Sequence, residues 1–352
     1  MSAKANPASL SCPVPIEDAD RVQLGHGSGG KLSAQLVARH FLPHFDNAAL
    51  AQLGDASIVS VTAGEVAIST DSFVVQPLEF PGGNIGSLAV HGTLNDVAMM
   101  GARAVCLTAG FVLEEGLSVA VLDRVIAEMA RASRDAGVPI VAGDTKVVER
   151  GKADGLYINT TGLGVVDPNF RPAPARAVPG DVVLVSGPIA RHGMAIMAAR
   201  EGLSFQSAIT SDTAHLAPLV DALRASGADV HVLRDPTRGG VASALNEIAA
   251  ASTVGIEIDE PVLPVPGDVR AACEMLGLDP LYVANEGVMV VFVPAEQAEL
   301  ALRALRAHPL GAESVRIGRV VAAHPRIVAL RTALGGTRVV DLLPGDQLPR
   351  IC

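Results

Sequence analysis

Two mixed α/β domains of comparable size, α+β or α/β in class, are predicted by three observations. β-like runs alternate with helical stripes through both halves of the chain, a proline-dense break separates the halves, and 352 residues exceed what one ordinary core accommodates. In the first half, β-branched runs flanked by Gly or Asp predict strands over Ala56–Thr62, Val66–Thr70, Ala104–Val112, Val138–Ala142 and Leu156–Val166. Val121, Leu122, Val125 and Met129 share one face of a helix predicted over Leu117–Ala136, with Gly137 as its stop. Between Asp167 and Asp181 stand Pro168, Pro172, Pro174 and Pro179, a density that neither a helix nor a central strand accepts. The second half repeats the pattern. Strands are predicted over Val182–Ser186, Val230–Leu233, Gly255–Ile258 and Val288–Val293, and helices over Ala214–Ala225, Val241–Ala251 and Ala295–Ala307. The chain therefore divides into a mobile arm (1–21), a first domain (22–167), a second domain (168–334) and a tail (335–352) whose Gly335, Gly336 and Gly345 serve as hinges.

Composition excludes several classes. A net charge of -10, with 27 Lys and Arg that form no stripe, leaves no footprint for nucleic acid. The opening MSAKANPASLSCPVPIEDADR has no basic segment followed by an apolar run, and no stretch is long and apolar enough to span a bilayer. A cytoplasmic protein without a membrane partner is expected. Cys12, Cys106, Cys273 and Cys352 show neither a CxxC pair nor zinc spacing. Cys106 and Cys273 lie in apolar runs as small hydrophobes, and Cys12 lies in the arm. Cys352 differs, because a thiol at the end of a Pro-punctuated arm has the form of a swinging carrier.

Carboxylates recur at the ends of the β-like runs: Asp55 in LGDAS, Asp71 in STDSF, Asp96 in GTLNDVAMMGA, Asp144 in AGDTK and Asp235 in RDPTRGG. Each alone suits a turn or a helix cap, but five in this pattern suit a hard cation that bridges carboxylates to phosphates, as in a Mg²⁺–nucleotide site. HGSGG, which includes His26, Gly27, Gly29 and Gly30, runs into a helix predicted from Lys31 and could wrap phosphate with its backbone N–H groups. It lacks Walker spacing. Lys146, beside Asp144, could neutralise a transferring phosphoryl group, and Glu286 in ANEG would act as a general base if desolvated in a cleft.

Together HGSGG, TDSFVV, GTLNDVAMMGA, GDTKVVERGKADG, RDPTRGG, LYVANEG and the final PRIC resemble the HypE family of hydrogenase maturation proteins. That family stands within the superfamily of aminoimidazole ribonucleotide synthase and selenophosphate synthetase. The resemblance runs from about Val22 to Cys352. It implies a two-domain PurM-like architecture, a homodimer whose N-terminal domains join their sheets, and ATP near that junction. It implies that a HypF-type carbamoyltransferase loads a carbamoyl group onto Cys352, that ATP-dependent dehydration makes a thiocyanate, and that a HypC–HypD scaffold receives the cyanide for nickel-iron hydrogenase. It implies Mg²⁺ on Asp71, Asp96, Asp144 and Asp235, with Asp55, Thr93 and Asn95 beside the nucleotide. Lys146 then stabilises charge and Glu286 takes the amide proton. Two rival readings stay open: a kinase of the same superfamily acting on a free small molecule, and a non-enzymatic thiol scaffold.

Overall fold

A computed structural model describes residues 20–27, 35–45, 47, 61, 64–202, 209–342, 348 and 350–352. The predicted strand at Ala56–Thr62 and helix from Lys31 fall largely or wholly outside these residues, as do Gly29, Gly30 and Asp55.

In the first domain, β1 (Val66–Phe73), β4 (Ala102–Glu114), β5 (Ile140–Val148) and β6 (Leu156–Val166) form one sheet in the order β1-β6-β4-β5. β6 is antiparallel to both β1 and β4, and β4–β5 is parallel. The period-2 alternation of a strand sends Leu156, Ile158 and Thr160 of β6 inward and leaves Asn159 exposed on the opposite face. A short hairpin of β2 (Glu79–Phe80) and β3 (Gly83–Asn84) leads into helix α1 (Ile85–Met99). α1 is closed by a capping box in which Asn84 Oδ1 accepts from the Gly86 and Ser87 amides and the Asn84 amide donates to Ser87 Oγ. α2 (Val119–Ala136) packs beside it and ends at Gly137, whose φ of 68° is the left-handed conformation glycine adopts without strain. The first residues of the domain are tied down before position 22, since Arg21 forms a bridge to Ser118 and the Val119 amide donates to Asp20 O.

In the second domain β7 (Asp181–Val185), β8 (Val232–Arg234), β9 (Gly255–Asp259), β10 (Val290–Pro294), β11 (Val315–Val321), β12 (Val328–Arg331) and β13 (Thr337–Val340) form a sheet in the order β13-β12-β9-β11-β7-β10-β8. Helices α3 (Arg191–Glu201), α4 (Ala217–Ser226), α5 (Gly240–Ser252), α6 (Gly267–Leu276) and α7 (Ala298–Arg306) complete it. Val183, Val185, Ile256, Val290 and Phe292 pack on α5, whereas Val182, Leu184, Val291 and Val293 face α4 and α7, so both faces of the central strands are buried.

Two expectations are corrected. The tail does not begin at Gly335: Thr337–Val340 pairs antiparallel with β12, because Val340 has a buried place in the second core and β12 offers an open edge. The helix predicted from Ala214 starts at Ala217. Residues 209–216 are an extended strap instead, because the Leu216 amide is taken by Asn95 Oδ1 of α1 and the Ala214 carbonyl by Asn95 Nδ2.

Candidate active site

Near its end β1 places Asp71 on the helix-covered side of the sheet, and α1 brings Gly92 and Asp96, one turn apart, to the same place. From the second domain, β8 runs into Arg234-Asp235, and the loop before β10 supplies Glu286. These residues, with Ser72, Phe73, Thr237, Arg238 and Cys352, line one cavity of about 140 Å³. Gly92 permits this approach, since a Cβ there would lie 2.9 Å from the Phe73 ring and 3.8 Å from Glu286 Oε2. Asn285 ties the two second-domain loops together: its Nδ2 donates to Pro236 O at 2.8 Å and its Oδ1 accepts from Ala190 N at 2.7 Å.

Negative charge is crowded here. Burial, then the neighbouring Asp96, pushes Asp71 up to about 6. Asp235 is pushed up to about 7 by burial and again by Asp96. Glu286, 2 % exposed, is raised well above the carboxylate range by burial, with Asp235 and Asp212 adding to it. Burial also raises the Cys352 thiol, and the charge of the neighbouring Glu286 raises it further. Arg238 works against this, favouring the ionised forms of both Asp71 and Cys352. Such a cavity has more acceptor oxygens than it can satisfy alone, and Glu286 Oε1 is buried with no hydrogen-bond partner.

No three His, Cys, Asp or Glu side chains among the described residues converge into an all-protein metal cage. The donors do fit Mg²⁺ arriving with phosphates, which takes one or two carboxylates and keeps the remainder of its shell for substrate and water. Asp71, Asp96 and Asp235 are the residues that could hold it.

Cys352 reaches the cavity because its chain segment is docked. Leu348 and Ile351 are buried in the first core cluster. The Arg350 carbonyl accepts from Gln76 N at 3.2 Å and from Arg200 Nη2 at 2.7 Å, and Arg350 Nη1 pairs with Asp154 at 3.2 Å. The Ile351 carbonyl lies 2.8 Å from His192 Nε2.

Several expected site residues are placed elsewhere. Asp144 and Lys146 pair with Gly110 and Val112 of β4, opposite Asn159 and Tyr157 of β6, and so share the outward face of the sheet. Their ends are 3.6 Å apart and their side chains 71 % and 65 % exposed. The pleat that turns Asp71 inward turns these two away, so within one chain they do not join the cavity. Thr93 points into the sheet, its Oγ1 2.6 Å from Thr160 Oγ1, and Asn95 is engaged with the strap at residues 214–216. Both are one or two positions off the Gly92–Asp96 stripe of α1, which explains their different roles. His26 is buried in the turn Leu24–Gly27, where its Nδ1 accepts from Gln23 N at 3.0 Å.

The sequence reading missed three features. Arg234 and Arg238 flank the carboxylate of RDPTRGG and could have been found from that motif. Asp212 carries no motif signal, yet its Oδ2 accepts from the amides of Glu286 at 3.2 Å and Gly287 at 3.0 Å. His192 likewise stands in no recognisable pattern.

Comparison with known proteins agrees with this geometry. Residues 53–166 match the N-terminal domain, and residues 178–329 the C-terminal domain, of AIR synthase related protein. The carbamoyl dehydratase HypE of Azotobacter vinelandii is 53% identical over 331 residues, spanning 94% of this chain and 97% of that protein. The crystal structure of the hydrogenase maturation protein HypE in complex with ATP superposes with a TM-score of 0.90 at 50% identity, over 94% of this chain and 99% of that one. A chain from the crystal structure of a HypE–HypF complex does so with a TM-score of 0.77 at 46% identity, over 88% of this chain and 99% of that one. No helix among the described residues is long and apolar enough to cross a membrane. With the two-domain PurM-like fold and relatives this similar over nearly its whole length, the chain belongs to the HypE family of carbamoyl dehydratases, enzymes of hydrogenase maturation.

Proposed function

We propose that this chain dehydrates a carbamoyl group carried on Cys352 to a thiocyanate at the expense of ATP, supplying cyanide for the iron centre of nickel-iron hydrogenase. The observation that carries this reading is that Cys352 and the buried Glu286 line one acidic cavity together with Asp71, Asp96 and Asp235. A carrier thiol and a buried carboxylate meet where phosphate-bridging groups already stand.

The chemistry requires two deprotonations and one activated oxygen. The carbonyl oxygen of S–C(=O)–NH₂ attacks the γ-phosphorus, the bond to the ADP oxygen breaks, and one nitrogen proton is lost, leaving S–C(=NH)–OPO₃²⁻ and ADP. Loss of the second nitrogen proton then forms C≡N as the C–O bond breaks and phosphate leaves. Glu286, held beside the sulfur, is positioned to take the proton from nitrogen. Arg234 and Arg238 line the cavity and stabilise charge on the transferring group. Mg²⁺ held by Asp71, Asp96 and Asp235 would neutralise the phosphates and orient them for in-line transfer. HGSGG, with His26, Gly27, Gly29 and Gly30, and Asp55 complete the nucleotide site in this reading.

Asp144 and Lys146 enter it across the junction of a homodimer. Their sheet face carries exposed Val66 and Ile68 at the β1 end, the kind of apolar surface a second sheet covers. A HypF-type carbamoyltransferase loads Cys352 and a HypC–HypD scaffold accepts the product. Similarity to a HypE chain solved with HypF supports the first of these partners. Intact-mass measurement tests the reading: incubation with carbamoyl donor, transferase and ATP should add one carbamoyl group at Cys352 and then remove one water. Loss of water without ATP, or no loss at all, would overturn it.

A further inference from the structure

The docked segment is held by its backbone. Two consecutive carbonyls, those of Arg350 and Ile351, are each captured by a donor from another part of the chain, and the second donor is His192 Nε2 at 2.8 Å. Turning both carbonyls toward donors places Arg350 in the left-handed region, at φ 57°, which a non-glycine residue adopts only when its surroundings hold it there.

His192 cannot be an incidental core histidine. It is fully buried near the start of α3, its ring stands edge-on to Phe80 with centroids 5.5 Å apart, and its other nitrogen, Nδ1, is 2.8 Å from Ser211 Oγ. Burial holds the imidazole neutral, its pKa lowered to about 4, so only one nitrogen bears hydrogen. A carbonyl oxygen can only accept. Nε2 therefore carries the proton and donates to Ile351, and Nδ1 accepts from the Ser211 hydroxyl. That hydroxyl is free to donate because its lone pair already accepts from the Thr213 amide at 3.1 Å. Every group in the chain Thr213 N–H, Ser211 Oγ, His192, Ile351 O thus has one allowed direction. Ser211 is itself fixed against the hairpin: its amide donates to Pro81 O at 2.8 Å, and a Cβ on Gly82 would meet its backbone at 2.8 Å.

The next residue is Asp212, which holds the Glu286 and Gly287 amides. A Cβ on Gly287 would lie 1.7 Å from the Asp212 carbonyl, so the base loop and the strap are in direct backbone contact. Two adjacent strap residues therefore reach both reaction partners, one through His192 to the carrier and one to the base.

We propose that His192, aimed by Ser211, is the latch that registers Cys352 against Glu286. This rests on the dehydratase reading above, but its signature is the accessibility of the thiol. His192 touches neither cavity nor reacting atoms; it is a positioning residue.

The test compares wild type, His192→Phe, His192→Gln and Ser211→Ala. Phe keeps the packing on Phe80 and removes the donor, whereas Gln can return an N–H to the Ile351 carbonyl. Alkylation of unloaded protein by iodoacetamide, followed at the Cys352 peptide by mass spectrometry, should be about tenfold faster in His192→Phe, since a buried carbonyl left without its donor favours release. It should rise less in Ser211→Ala and return toward the wild-type rate in His192→Gln. Dehydration of the preloaded carbamoyl form should fall in the same order. If His192→Phe does not fold, Ser211→Ala and the partly exposed Arg200→Met, which removes one of the two donors to the Arg350 carbonyl, carry the comparison. Alkylation at the wild-type rate in every folded variant would overturn the latch. Because that readout needs no ATP, it fails or succeeds separately from the dehydratase reading, which fails only if loaded wild type keeps its water.

Discussion

Glu286 and Cys352 line the same buried cavity, where the charge of Glu286 hinders ionisation of the Cys352 thiol while the thiol favours the ionised form of Glu286. A free thiolate is therefore disfavoured in the seated position, whereas a neutral S-carbamoyl group adds no charge beside the carboxylate. The arrangement suits a carrier that arrives loaded.

Glu286→Gln should bind ATP and accept the carbamoyl group, and then dehydrate it roughly 10²- to 10⁴-fold more slowly, the usual loss for a missing general base. Single-turnover mass spectrometry of preloaded protein measures this directly. Dehydration at the wild-type rate would remove Glu286 from its role.

Stability should depend on pH in two opposed ways. Asp71 and Asp235 have folded pKa values of about 6 and about 7, above their ordinary value, so their contribution is present in acid and is lost as pH rises through those values. His192 and His91 are lowered to about 4, so their contribution is present above about 6.5 and is lost as pH falls through about 4. The two trends run in opposite directions across the same window, so they largely cancel and thermal melts should change little between about pH 4 and about pH 6. Mg²⁺ with a nucleotide should raise the melting temperature more at pH 8 than at pH 5.5, where the carboxylates hold protons. An equal rise at both would contradict the cation assignment.

Lys146→Ala and Glu286→Gln should each be inactive alone, but a mixture refolded together should recover roughly a quarter of wild-type activity, because half the dimers are mixed and each mixed dimer has one intact site. That result requires Lys146 to serve the neighbouring subunit. No recovery would place it in its own chain's site or outside the reaction.

Asp212→Ala strips the acceptor from two amides at the base loop and should destabilise the protein by about 1–3 kcal/mol in denaturant melts. Asp212→Asn keeps an acceptor oxygen for the Glu286 and Gly287 amides and should cost less. Equal losses would mean that charge, and not the amide contacts, is what the fold needs from Asp212.

Much of this was legible in the sequence for identifiable reasons. β6 was predicted at its observed limits because it alternates and is bounded by Gly155 and Asp167. α2 was predicted within two residues because its one apolar stripe meets a glycine stop. α1 escaped notice because it is buried on nearly every side and has no stripe to find. The carboxylates were visible as a class, but composition cannot tell which side of a strand a residue faces relative to a helix elsewhere. Asp71 and Asp144 therefore looked alike, and the pleat separates them. His192 and Asp212 were invisible because each acts through backbone groups of residues remote in sequence, which leave no letter in the sequence, and Ser211 because it acts only through His192.

The cavity takes Asp71 and Asp96 from one domain, Asp235 and Glu286 from the other, and Cys352 from neither core sheet. Its shape is thus a property of the seam. Mild denaturant that loosens the contact between domains should erase catalysis while both sheets still give their full circular dichroism. Working life in the cell would then be set by the weakest joint, and stabilising either core alone would leave it unchanged.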